Sequence, residues 1–187
     1  MSSSYQKPSA TVLAEQVLET LRANFQSQKR LAEQAMAQLD DAELRAATAE
    51  DNSIAVIVKH LHGNMRSRWR DFLTTDGEKP DRQRDAEFIG DISDREALTA
   101  LWEEGWQTLF EALDTIGETT LLATVTVRGQ PHSVLEAILR QLTHYSNHVG
   151  QIVYIAKSLK GAAWQSLSIP KGQSQRYTPD AHNKGRY

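Results

Sequence analysis

Residues Ser133 to Leu159, SVLEAILRQLTHYSNHVGQIVYIAKSL, read as one long helix that fades near Gly161. Pro131, then Ser133 with Glu136 three residues later, marks its start. Inside it His144 and His148 are four residues apart, so they stand one turn above each other, ~40° apart around the axis. Two imidazoles in that arrangement can close on one cation if a third ligand arrives from another helix. The same spacing also suits a packed or hydrogen-bonded pair, and H-x3-H arises often by accident. The third ligand therefore decides how much the pattern means.

Upstream, three more helices are legible. From Ala10 to Leu39, Val17, Leu18, Leu21, Phe25, Ala32, Ala35, Met36 and Leu39 share one side. Ala42 to Glu50 is either a short helical turn or a loop. Asp51-Asn52-Ser53 supplies N-cap residues for a second helix with a stripe from Ile54 to Phe72, closed off by Thr75-Asp76-Gly77-Glu78-Lys79-Pro80. Asp81 to Asp91 is heavily charged but reads as an ordered connection, because Phe88 and Ile89 call for burial. Ser93 and Glu96 have the capping-box spacing of a third helix through about Ile116, with Trp102 and Trp106 on its core face. Thr119 to Val127 is β-branched and short, with the turn signal Arg128-Gly129-Gln130 after it. No second strand is evident, so no sheet is inferred. The expected architecture is all-α: one domain over residues 1–187, a four-helix bundle with a polar lead (1–9) and an irregular tail from about 166, partly packed through Trp164, Leu167 and Ile169.

Composition narrows the chemistry. The 187 residues are 40% hydrophobic and 24% charged, with a formal charge of −3, and the pI is about 6.1. Those values suit a soluble globular protein and speak against nucleic acid or a membrane surface as main partner. There is no cysteine, which removes thiolate metal sites and a cysteine nucleophile and leaves histidine and carboxylate as ligands. The start, MSSSYQKPSA, has no apolar targeting core. A cytoplasmic location is expected.

Six histidines are available. His182 falls in the polar tail, and His132 lies some three turns from His144. His60 and His62, on the second helix, point ~200° apart and cannot share a site. Periodicity does not choose between them, although Asn64, one turn on, offers His60 an orienting amide. Asn64 and Gln151 are candidate hydrogen-bond partners of the ligands, or ordinary helix-surface amides. Arg66, Arg68 and Arg70 spread over some 200° and read as a solvated face paired with Asp71, Asp85 or Glu87.

The blocks NSIAVIVKHLHGNMRSRWRDFLTTDGEKPDRQRDAEF (52–88) and HSVLEAILRQLTHYSNHVGQIVYIAK (132–157) resemble the DinB-like, or YfiT-like, superfamily of metalloenzymes, and more closely a subgroup of small bacterial proteins of uncharacterised activity. The likeness runs from about Leu13 to Pro170. Its specific parts are the histidine after a Ser-Ile-Ala helix start and the H-x3-H-x-G-Q-I ending. The resemblance implies an up-down-down-up four-helix bundle with one histidine from the second helix and two from the last. Matched by position, these are His60, His144 and His148 around a divalent ion (Zn, Ni, Mn or Fe). It implies no role for His62 or His132. It further implies thiol S-transferase or related hydrolase chemistry, with a low-molecular-weight thiol and an electrophile as partners, and a homodimer. Fold membership does not confer activity, so a non-catalytic metal-binding or interaction bundle in bacterial stress response is the alternative. The acidic pI speaks against a DNA-binding stress protein.

Overall fold

The computed structural model describes residues 8–47 and 51–173, so the expected features of His182 and of the tail beyond 173 lie outside it. Among the described residues the chain is mostly helical. The elements are α1 (Ala10–Met36), α2 (Asp41–Arg45), α3 (Ile54–Trp69), α4 (Arg95–Asp114), α5 (Glu118–Leu121), β1 (Thr124–Val127), β2 (Gln130–Ser133) and α6 (Val134–Lys160). Single 3-10 turns occupy Asp85–Phe88 and Gly161–Ala163. Among the described residues no helix is long and apolar enough to cross a membrane.

Helix starts follow the caps. Ser9, Ser53 and Ser133 each accept a hydrogen bond from the backbone N–H three residues on. At α4 the expected Ser93 cap is displaced by one residue. Asp94 accepts from the Ala97 N–H (2.9 Å) and Ser93 Oγ donates to Asp94 (2.8 Å), because a carboxylate is the stronger acceptor for an orphan N–H. The first helix ends at Met36 because Asp40 and Glu43 form a capping box that opens α2. Helix α3 stops at Trp69, earlier than the apolar stripe suggested. Asp71 takes φ 49°, and its carbonyl accepts from the N–H groups of Thr74 and Thr75 (3.0 Å each).

The region without an inferred sheet holds one. β1 pairs antiparallel with β2, from Thr124 opposite Ser133 to Val127 opposite Gln130. Arg128 and Gly129 both have positive φ (55° and 72°), the conformation of a two-residue hairpin turn. Asp76 clamps that turn by accepting from the N–H groups of Arg128 and Gly129 (2.8 Å each). The second strand escaped notice because Gln130-Pro131-His132-Ser133 is short and polar, and proline is compatible only with a strand edge.

Helix α3 packs on α4 and α1 on α6, with further α3–α6 and α1–α4 contacts. Phe25, Trp69, Trp106 and Tyr145 from these four helices meet at the centre, almost wholly buried, with ring centroids 6.0–6.4 Å apart in the pairs Phe25 makes. Tyr145 Oη accepts from Trp69 Nε1 (2.9 Å) and donates to Asn64 Oδ1 (3.0 Å). Burial raises the tyrosine's pKa, so the hydroxyl stays neutral and serves both partners. This buried chain fixes the register of α6 against α3, and with it the level at which His144 faces α3.

Candidate metal centre

His60 projects from the middle of α3, and His144 and His148 from successive turns of α6. Their side chains meet: His60 Nε2 lies 3.4 Å from His144 Nε2, and His148 Nε2 lies 3.1 Å from the same atom. One nitrogen from each ring lies within 4.8 Å of the others. His60 is buried, and the α6 pair is partly exposed.

The outward-facing nitrogens decide what the inward ones can do. His60 Nδ1 stands 2.9 Å from Glu87 Oε2. Burial alone pushes the Glu87 carboxyl up, but hydrogen bonds from Arg82 and His60 outweigh it and hold the group below its ordinary range. An ionised carboxylate only accepts, so His60 Nδ1 carries the proton. His148 Nδ1 likewise donates to Gln151 Oε1 (2.8 Å). In the neutral rings both Nε2 atoms therefore present lone pairs towards His144. One proton on His144 Nε2 can satisfy only one of them. Burial, then the neighbouring His148 and His60, pushes the His144 pKa down to about 3, and burial lowers that of His148. Protonation is thus a poor remedy for the facing lone pairs, and a cation is a good one. Nitrogens 2.0–2.1 Å from a shared tetrahedral ion stand roughly 3.3 Å apart, so the donor set fits a divalent metal.

Glu87, which the sequence suggested only as an arginine partner, is the residue that also bonds His60. It sits in the 3-10 turn after Arg84, buried, and Arg82 grips both of its oxygens (Nε to Oε1 2.7 Å, Nη2 to Oε2 2.9 Å). The carboxylate lies flat on α3 at Gly63, where an added Cβ would come within 2.7 Å of Glu87 Cδ. A glycine inside a helix costs about 1 kcal/mol relative to alanine, and that cost was the available signal that something lies against it. Gly63→Ala is expected to displace Glu87 and destabilise the chain by about 1–3 kcal/mol despite the better helix former. Imidazole 15N shifts should then show His60 as a mixture of tautomers in place of Nδ1–H alone.

The connection 81–91 is ordered for this reason, and not through the burial expected of Phe88 and Ile89. Both are exposed (44% and 58%), although Phe88 stacks on the His60 ring at 4.9 Å. Of the two amides, Gln151 does bond a cluster histidine, while Asn64 turns away to Tyr145. His62 points at Glu104 on α4 (3.1 Å), and His132 lies in β2 beside Glu136 (3.1 Å). The arginine run is not one solvated face. Arg68 is buried on Glu78 (2.9 Å), Arg70 pairs with Asp81 (2.6 Å) and Arg66 with Glu104 (3.5 Å).

A family model described as "Protein of unknown function (DUF1572)" matches residues 12–173. The chain belongs to the DUF1572 family. The matched span holds every element from α3 to α6, and so all three histidines, Glu87 and Gln151 of this DUF1572 chain. Comparison with curated proteins and with solved structures gives no match.

Proposed function

We propose that this chain is a DinB-like protein, an up-down-down-up four-helix bundle that binds a divalent metal through His60, His144 and His148 and uses it in thiol S-transfer. The packing of α1 on α6 and of α3 on α4, with further α3–α6 and α1–α4 contacts, supports a bundle of four long helices. The observation that carries the reading is the convergence of three Nε2 atoms at 3.1–3.4 Å contacts while Glu87 and Gln151 hold the far nitrogens of two rings. Three neutral ligands leave a position free, the arrangement of catalytic sites as opposed to closed structural ones. A divalent ion bound there supplies Lewis acidity that lowers the pKa of a thiol. The protein's part is to orient. Glu87 and Gln151 aim two lone pairs inward, and Phe88 covers one face of His60 and keeps water from it.

Metal analysis of protein purified without a histidine tag tests this. Near-stoichiometric Zn, Ni, Mn or Fe is expected, lost in His60→Ala and in His144→Ala and kept in His62→Ala. Metal retained in both ligand variants overturns the site. A panel of thiols with an electrophilic acceptor should then show metal-dependent conjugation, and no conjugation with any thiol would leave a non-catalytic metal-binding bundle.

A further inference from the structure

A surface groove of about 830 Å³ runs between the start of α3 and the C-terminal half of α6. It shares Gln151 with the histidine cluster, and Ile57, three residues before His60, forms part of its wall. Its volume is that of a small-molecule site. Ile57, Ile155 and Leu159 give it an apolar side, Tyr154 an aromatic one that is 76% exposed, and Asn52 and Asn147 hydrogen-bonding groups.

Gly150 makes this more than a surface depression. It lies in the interior of α6 and lines the groove. A Cβ built there meets nothing within 4 Å among the described residues, unlike Gly63, whose neighbour Glu87 accounts for it. The glycine weakens the helix relative to alanine, with no packing among the described residues that requires it. What its missing side chain provides is clearance in the groove.

We infer that this groove, with Gly150 opening it, binds a non-anionic organic molecule with an apolar body and a hydrogen-bonding head. The class follows from charge. Among the described lining residues the only charged one is Asp51, and no lysine or arginine is present to meet an anion. As the acceptor site of the transfer the groove rests on the proposed function; its ligand binding does not.

The test uses three probes that differ only in the head group: 2-naphthylmethanol, 2-naphthylmethylammonium and 2-naphthoate. Each is titrated into the full-length protein, zinc-loaded and chelator-treated, by 15N–1H NMR. The alcohol and the ammonium are expected to bind with shifts at Ile57, Gln151 and Ile155, and the carboxylate about tenfold more weakly. Gly150→Leu should fill the groove and weaken the binding of the alcohol by about tenfold or more, with metal content unchanged. Tyr154→Ala, on an exposed side chain, should weaken it too. Naphthoate binding as tight as the alcohol, affinities untouched by both substitutions, or no binding of any probe overturns the inference. If the protein holds no metal under any condition, the proposed function fails, and the probe titrations still decide the groove.

Discussion

Glu87→Ala is expected to lower the unfolding free energy by about 3–5 kcal/mol, the cost of leaving a buried charge without its partner. The Arg82 side chain is only 4% exposed, and its remaining carboxylate, Glu78, is more distant at 3.6 Å. Urea unfolding measures the loss. The same substitution frees His60 Nδ1, so metal affinity should fall by about 10–100-fold in chelator competition. A double substitution, Arg82→Met with Glu87→Met, separates the two effects. Removing both charges should restore most of the stability, but His60 still lacks its acceptor and the affinity should stay low. Full recovery of affinity in the double variant would show that Glu87 acts through stability alone.

Acidification of the metal-free protein should produce the second large effect. The folded His144 has a pKa of about 3, against 6.5 for an unperturbed histidine. Between those values the unfolded chain binds more protons than the folded one, so stability falls as pH falls. The full shift corresponds to roughly 5 kcal/mol. The ring is only partly buried, and solvent screening reduces this to about 2 kcal/mol. His148, also shifted down, acts in the same direction. Glu87 enters later: its depressed pKa contributes stability that is lost only below about 4.5. Unfolding midpoints from pH 7 to pH 5 therefore isolate the histidines. Asparagine at position 144 should flatten the slope, and an unchanged slope in His144→Asn would assign it elsewhere.

The fold was legible wherever the determinant was local. Ser53 and Ser133 announce their helices because a cap acts within three residues, and the His144–His148 pair follows from helical spacing alone. What was not legible depends on partners far along the chain. The hairpin is held by Asp76, some fifty residues from its turn, and its second strand lacks the alternation that marks buried strands. The tie between His60 and His62 is broken physically by Glu87, which periodicity on α3 does not reach. Asn64 lies one turn from His60, but Tyr145, 81 residues away, claims its oxygen. Phe88 shows the converse: hydrophobicity suggested burial, whereas the ring lies on an imidazole and keeps much of its surface in water.

The hydrogen bond from Trp69 to Tyr145 spans 76 residues, and this separation orders events during synthesis. Until the last long helix leaves the ribosome, α3 offers His60 without the other two cluster imidazoles, and the indole that aligns the two helices has no hydroxyl to meet. Under the proposed function, cation capture must follow docking of α6. A nascent chain stalled before His144 then lacks two of the three ligands, and loading would follow completion of α6.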